Sequence, residues 1–233
     1  MTRMITNLTN CRIIVFAKAP IAGEVKTRLL SSLDALVVTA LHEKLVLHSL
    51  NTAVESKVGP VELWCAPSKE HPFFLRCAEQ FQVDLHQQTE GDLGRRMAHA
   101  FDETLKRAPM ALLMGTDCPS LTLEDLKEAK KALKQGAPAV ISPAEDGGYV
   151  LIGLCQYEST LFEGISWGTG SVLEETRERL RRLGWRWHEL PKRWDVDRPE
   201  DVERLISEGY LELKSIHCRQ SPNKAFSFQK GER

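Results

Sequence analysis

Apolar residues along this 233-residue chain fall into two kinds of run. Short continuous runs, such as residues 13–16 and 110–114, are typical of strands that are covered on both faces of a sheet. Longer stretches repeat apolar residues at helical spacing, as Leu93, Met97 and Phe101 do, and these stretches predict amphipathic helices. Because the two kinds of run alternate, we expect a mostly parallel sheet with helices on both faces.

The predicted elements follow one another without an internal repeat. Strands are predicted at residues 12–17, 61–65, 82–86, 110–114, 139–141, 149–154 and 185–190. Helices are predicted at residues 33–55, 71–80, 92–107, 122–135, 171–183 and 199–209. We therefore predict one α/β domain, a Rossmann-like three-layer sandwich over residues 11–210, with flexible tails at residues 1–10 and 214–233. In such sheets ligands bind beyond the carboxyl ends of the strands.

Composition argues against several classes of function. Lys and Arg together number 31 against 32 for Asp and Glu, so the chain lacks the broad basic field of many nucleic-acid-binding proteins. No apolar stretch approaches the roughly 20 residues that span a bilayer, so no membrane partner is expected. The six cysteines form no C-x-x-C pair and no signal peptide is recognisable, which favours reduced thiols in a cytoplasmic protein. The oligomeric state does not follow from these features.

The loop after the first predicted strand is a candidate phosphate site. It carries Lys18, Lys26 and Arg28 together with the hydroxyl of Thr27, and Gly23 allows it to turn. Lysine acts on a phosphate as a point charge, and arginine offers a planar fork that matches two oxygens. The spacing is not that of a Walker A loop. A solvated basic turn is the alternative interpretation.

Three aspartates are candidate metal ligands. Asp117 follows the predicted strand at residues 110–114, where a carboxylate is well placed to bind a divalent cation. Asp195 and Asp197 are two residues apart in a segment that Pro199 keeps extended, so both side chains point to the same face. Oxygen ligands favour Mg²⁺ or Mn²⁺ over Zn²⁺. A turn aspartate and a solvated acidic pair are the alternatives.

Other segments place glycines, hydroxyls and charged side chains at the same predicted edge of the sheet. Each segment is also explained by an ordinary turn or a helix cap. Backbone that approaches a ligand closely, and a glycine-rich turn before a helix, are features of anion and acceptor sites. The candidates are Asp92, Arg95, Asp146, Gly147, Gly148, Tyr149, Gly168, Gly170 and Ser171.

Taken in order, these segments resemble the DUF2064 glycosyltransferase-like family of the nucleotide-diphospho-sugar transferase (GT-A) superfamily. Some of its members carry the label of arsenosugar-biosynthesis glycosyltransferases. The resemblance covers about residues 11–210, and better-understood relatives are the 2-phospholactate and phosphoenolpyruvate guanylyltransferases. The segments that carry it are residues 16–20, Gly23, and residues 26–29, 91–94, 115–119, 146–149 and 195–197.

The resemblance implies a GT-A fold and roles for individual residues. Lys18 and Lys26 would contact phosphates and, with Asp117, would act in catalysis. Asp92 and Arg95 would contact the nucleotide, and the candidates from Asp146 to Ser171 would contact the acceptor. Asp117 would also hold Mg²⁺ or Mn²⁺ together with Asp195 and Asp197. Two positions depart from the family pattern. Arg198 replaces a capping threonine, and Tyr149 replaces the small hydroxyl residue of the guanylyltransferases, which argues against a phospholactate-type acceptor.

Three functions are consistent with these residues. The working hypothesis is a metal-dependent enzyme that transfers a group from a nucleotide-sugar donor to a small acceptor. The first alternative is a nucleotidyltransferase that couples a nucleoside triphosphate to a phosphorylated small molecule and releases pyrophosphate. The second alternative is a catalytically idle nucleotide-binding module.

Overall fold

The computed structural model describes residues 10–210 and contains an α/β/α sandwich. The predicted tails at residues 1–10 and 214–233 lie outside these residues, apart from Asn10. The strands are β1 Arg12–Lys18, β2 Val61–Ala66, β3 Asp84–Gln87, β4 Ala111–Met114, β5 Ala139–Pro143, β6 Tyr149–Leu154 and β7 Trp187–Glu189. The helices are α1 Ala35–Glu55, α2 Pro72–Phe81, α3 Leu93–Leu105, α4 Leu123–Lys134, α5 Val172–Arg182 and α6 Pro199–Ser207. Short 3₁₀ turns lie at Thr27–Ser31 and Ser159–Leu161.

One seven-stranded sheet has the order β3-β2-β1-β4-β6-β5-β7. Among the described strands, only β6 runs antiparallel to its neighbours. The turn between β5 and β6 has too few residues for the crossover connection that a parallel pair needs. The other described pairs are parallel, which confirms the predicted sheet. The chain moves from β1 outward to β3 and then returns to the opposite side of β1 as β4. The carboxyl ends of β1 and β4 therefore flank a switch point, the usual ligand position in such sheets.

Alternate residues of β1 face the two helical layers. Ile13 and Val15 belong to the core under α1, α2 and α4, whereas Ile14 and Phe16 belong to the core under α3 and α5. All four are buried, which confirms the prediction of a strand covered on both faces. None of the helices in the described part of the chain has the length and apolarity needed to cross a bilayer.

A third apolar cluster positions the loops at the switch point. It joins the 3₁₀ turn after β1, helix α1, the segment after β7 and helix α6. Leu29, Leu41, Val196 and Leu205 are among its members, and each is at most 2 % exposed. The cluster thereby fixes the basic loop near the start of the chain against the acidic segment near its end.

Candidate functional site

The loop after β1 carries the cations that the sequence predicts for a phosphate site. Lys18 is exposed at the end of β1, the chain turns near Gly23, and Lys26 directly precedes the 3₁₀ turn, whose exposed first residue is Thr27. The backbone of Lys26 has φ 49° and ψ 42°, a left-handed conformation that costs a non-glycine residue about 1–2 kcal/mol. The complete burial of Leu29 in the following turn helps to hold this conformation.

Lys26 joins the two acidic segments. Its side chain is 5 % exposed, and its Nζ lies 2.8 Å from Oδ2 of Asp117. The same ammonium donates a hydrogen bond to the carbonyl oxygen of Val196. The Val196 N–H donates in turn to the carbonyl oxygen of Asp117, at 2.8 Å. Three segments that are far apart in the sequence therefore meet at one point beside the carboxyl end of β4.

The segment from Asp195 to Asp197 alternates as the sequence predicts. Val196 is fully buried in the third apolar cluster. Asp195 and Asp197 both line one cleft, so their side chains share a face. The structure thus brings Asp117, Asp195 and Asp197 to the same edge of the sheet.

The surroundings at this edge shift the pKa values of two carboxyl groups in opposite directions. Desolvation acts to raise the pKa of Asp117, but the ammonium of Lys26 outweighs it and holds this pKa below its usual value. Burial, and after it the negative charge of Asp146, raises the pKa of Asp195 to about 6. Lys26 opposes the rise at Asp195 without cancelling it. Negative charge is therefore in excess around Asp195.

Asp197 is held by its neighbours on α6. Its carboxylate pairs with the guanidinium of Arg28, whose side chain is 63 % exposed. The carboxylate of Asp201 accepts the backbone N–H groups of Asp197 and Arg198, at 2.9 and 2.7 Å. Asp201 therefore supplies the N3 half of a capping box, whereas the side chain of Arg198 has no oxygen with which to cap α6 as a threonine would.

The donors at this edge fit a hard divalent cation, although no cage is preformed. Carboxylate oxygens suit Mg²⁺ or Mn²⁺, and a cation would oppose both causes of the raised pKa of Asp195, its burial and the negative charge of Asp146. Among residues 10–210, no three His, Cys, Asp or Glu side chains form a group that could hold a metal ion as they stand. The carboxylates of Asp117 and Asp197 are each paired with a basic side chain instead. Metal binding by these three aspartates stays a prediction.

A cleft of about 330 Å³ opens beside Asp195 and Asp197, and we call it the acidic cleft. Its wall contains the predicted residues Arg28, Asp146, Gly168 and Gly170. Five further wall residues do not belong to the predicted site residues, although each lies within four positions of a predicted motif. These are Glu145, Thr169, Trp194, Arg198 and Asp201.

The backbone of Gly147 touches that of Gly170 at the margin of this cleft. Gly147 has φ +92°, and a Cβ at this position would lie 2.2 Å from the carbonyl oxygen of Gly170. The Gly147 carbonyl oxygen also accepts the N–H of Leu173 in α5, at 2.9 Å. Two glycine-rich turns therefore pack against each other only because neither carries a side chain there.

Gly147→Ala is expected to destabilise the protein more than a glycine replacement that adds backbone strain alone. Gly136→Ala is the matched control, because Gly136 has φ +99° and a Cβ added there would meet no neighbouring atom within 4 Å. The control should cost about 1 kcal/mol, and Gly147→Ala should cost at least twice as much because the new methyl group meets backbone. Urea unfolding monitored by tryptophan fluorescence measures both values. Equal losses would contradict the close contact.

A larger cleft of about 640 Å³ lies on the other side of the basic loop. Lys18, Gln88 and Arg96 contribute polar groups to its wall. The Gln88 amide is buried, and its Nε2 donates to the carbonyl oxygens of Ala17 and Trp64, at 3.3 and 2.8 Å. These two bonds fix the orientation of the amide in the cleft. The sequence identified Lys18 here and missed Gln88. Of the two guanidinium groups that follow residues 91–94, it favoured Arg95, whereas Arg96 lines the cleft.

Five of the predicted site residues that line neither cleft have local structural roles. Asp92 is the N-cap of α3 and accepts the N–H of Arg95. These two residues therefore form the helix cap that was the alternative to a ligand site. Ser171 donates its hydroxyl hydrogen bond to Glu175 and does not cap α5 with its side chain. Tyr149 belongs to the core under α3 and α5, where its ring meets Trp167 edge-on. Gly148 lies in the turn and donates its N–H to Asp146.

Acid is expected to weaken the packing of α1 under the basic loop. The ring Nε2 of His42 lies 2.9 Å from the carbonyl oxygen of Lys18, and burial lowers the pKa of this imidazole from 6.5. The unfolded chain therefore binds more protons than the folded protein as the pH falls below 6.5. The contribution of neutral His42 to the free energy of unfolding is complete above pH 6.5 and is lost as the pH falls below it. Urea midpoints at pH 7.5 and 5.5 should differ less in His42→Gln than in the wild type. An equal decrease in both proteins would contradict this assignment.

The sequence matches one protein family, and no curated protein matches it. Residues 49–169 match the family described as an uncharacterized protein conserved in bacteria (DUF2064). A crystal structure from Desulfovibrio desulfuricans G20, provisionally named a nucleotide-diphospho-sugar transferase, is 30 % identical. The match covers 81 % of this chain and 83 % of that protein, with a TM-score of 0.74.

More distant structures share the fold. A nucleotidyl transferase from Methanothermobacter is 11 % identical, with a TM-score of 0.57, and the match covers 85 % of this chain and 96 % of that one. The inositol-1-phosphate CTP transferase from T. maritima is 13 % identical, with a TM-score of 0.56 and coverage of 85 % and 95 %. These matches agree with the predicted Rossmann-like fold of nucleotide-diphospho-sugar transferases.

Proposed function

This chain belongs to the DUF2064 family, and from its site we propose that it is a nucleotide-dependent transferase that moves a glycosyl group from a nucleotide sugar to a small acceptor. The observation that carries the proposal is the junction of Lys26, Asp117 and the acidic segment at the switch point of the sheet. A cation held at this point meets the requirement of a reaction in which negative charge builds on phosphate oxygens.

In this proposal each of the two clefts binds one substrate. The larger cleft, at about 640 Å³, has the size of a nucleoside site, and Lys18 at its rim would contact the donor phosphates. The acidic cleft would receive the acceptor next to Asp195 and Asp197. Lys26 lies where the basic loop contacts the acidic segment, and the transferred bond would be placed beside it.

The proposed reaction breaks the bond between the anomeric carbon and the donor phosphate oxygen. An acceptor hydroxyl oxygen forms the new bond to that carbon, its proton passes to water, and the nucleoside diphosphate leaves. Lys18 and Lys26 would stabilise the charge on the leaving phosphates. A divalent ion held by Asp117, Asp195 and Asp197 would supply Lewis-acid stabilisation of the same oxygens.

Nucleotidyl transfer from a triphosphate is the second candidate. The observation in its favour is that two lysines and an arginine occupy one loop, which suits a chain of three phosphates as well as a diphosphate. Its predicted acceptor is a phosphorylated small molecule. The five carboxylates in the wall of the acidic cleft favour the uncharged acceptor of a glycosyl transfer instead.

Two measurements test the proposal and separate the candidates. The first is thermal unfolding with nucleotides and nucleotide sugars, with and without Mn²⁺, because a bound ligand raises the apparent stability. The second is product analysis with the ligands that bind. Release of a nucleoside diphosphate from a nucleotide sugar supports glycosyl transfer, and release of pyrophosphate that requires a phosphorylated acceptor overturns it. Tight binding without turnover of any donor would support the idle nucleotide-binding module.

A further inference from the structure

The carboxylate expected to bind a metal is already occupied by a cation of the chain itself. The Nζ of Lys26 lies 2.8 Å from Oδ2 of Asp117 and also donates to the Val196 carbonyl oxygen. A divalent ion prefers the same carboxylate oxygens. An ammonium and a metal ion cannot share this position, because like charges repel strongly at such distances.

The position of Lys26 is set by the fold. Its side chain is 5 % exposed, whereas the side chain of Arg28, which pairs with Asp197, is 63 % exposed. Arg28 can therefore exchange its partner for water at little cost. The nearly buried ammonium of Lys26 is itself poorly solvated, so it needs an equivalent anionic partner before it leaves Asp117.

We propose that Lys26 masks Asp117 against divalent cations until the phosphates of a donor draw its ammonium away. The inference rests on the proposed function, because it takes the incoming anion to be a nucleotide. Metal and nucleotide then bind as coupled ligands, and each strengthens the other by the same factor. A free metal ion would bind weakly, which keeps the acidic edge from capturing a cation before the donor arrives.

The charge of Lys26 also repels a metal ion at a distance, and this effect must be separated from masking. Lys18 provides the control. Its charge acts on Asp117 as well, but it forms no ion pair with that carboxylate among the described residues. Lys57 is a second control, because it is exposed and has the same left-handed backbone, with φ 55°. Replacing each lysine by methionine removes one charge and keeps a similar chain length.

The experiment is titration of nucleotide-free protein with Mn²⁺, in which electron paramagnetic resonance detects the free ion. We expect Lys26→Met to bind Mn²⁺ roughly 10- to 100-fold more tightly than the wild type, a factor typical of coupled sites. Lys18→Met and Lys57→Met should change the affinity less than about threefold, as remote screened charges do. Equal affinities of the wild type and Lys26→Met overturn the proposal. So does an equal gain in Lys18→Met, or a Lys26→Met protein that binds no Mn²⁺.

Two further measurements keep the result interpretable. Unfolding curves show whether each variant is folded, and Lys26→Gln is titrated in parallel as a second uncharged replacement. Addition of a nucleotide to the wild type should raise its Mn²⁺ affinity, and the gain should be smaller in Lys26→Met. If Lys26→Met binds Mn²⁺ tightly while no nucleotide binds any variant, the mask stands and the proposed function fails. If nucleotide binds and the metal affinities are equal, the proposed function stands and the mask fails.

Discussion

Asp117→Asn is expected to reduce turnover on the order of 10²- to 10³-fold, the size of effect seen when one electrostatic group is removed from an active site. The asparagine keeps the shape of the side chain and can still accept a hydrogen bond from Lys26. It removes the negative charge that holds the ammonium and that is predicted to hold a metal ion. Initial rates with the donor found by the binding screen measure the loss.

The surface pair of Asp102 and Lys106 provides the matched control. Its Nζ–Oδ2 distance is 2.7 Å, close to that of the pair at the site, but both side chains are more than one third exposed. Asp102→Asn should leave turnover within about twofold of the wild type, because exposed pairs contribute little. Full activity in Asp117→Asn would contradict the assignment of this carboxylate to the reaction.

Glu62→Ala is expected to lower the free energy of unfolding by about 3–5 kcal/mol, the usual loss when one partner of a buried ion pair is removed. The carboxylate lies in β2 and is fully buried. Arg12 contacts it at 2.8 Å and Arg107 at 2.9 Å, while Trp64 and Thr104 donate hydrogen bonds at 3.2 and 3.1 Å. Removing it leaves two guanidinium groups and two donors without their acceptor. Urea unfolding measures the loss.

Two comparisons isolate the charge of Glu62. Glu62→Gln keeps the volume and should lose less stability than Glu62→Ala, while Glu128→Ala, from an exposed pair with Lys131, should lose less than about 1 kcal/mol. Burial opposes ionisation of Glu62, but Trp64 and Arg107 outweigh it and lower its pKa below 4.5. The contribution of ionised Glu62 to the free energy of unfolding is therefore present above pH 4.5 and is lost as the pH falls below it. A small loss in Glu62→Ala would mean that water enters the site and replaces the carboxylate.

The order and type of the elements could be predicted from the sequence, because each depends on local apolar spacing. The prediction for β3 began two residues early, since α2 extends to Phe81 and ends in a left-handed Gln82. The predicted β7 was too long, because only Trp187–Glu189 pairs with β5. Both differences lie at element ends, where pairing with another strand decides the boundary and local spacing does not.

The site could be predicted only in part. Alternation placed Asp195 and Asp197 on one side of Val196, and the structure agrees. The pairing of Lys26 with Asp117 depends on how distant segments pack and leaves no local pattern. The choice of Arg96 over Arg95 for the larger cleft is set by the rotation of α3, since neighbouring residues of a helix point about 100° apart.

The third apolar cluster also sets an order of events during synthesis. The basic loop leaves the ribosome early, but Val196 and Leu205, which hold its acidic counterpart in place, are among the last described residues to be made. A nascent chain that ends before α6 contains the basic loop and the acidic segment, but it lacks Val202 and Leu205, which pack in the cluster that holds the two together. Translation must therefore pass Leu205 before the third apolar cluster is complete, so we expect a chain that terminates before α6 to be inactive even if its sheet has formed.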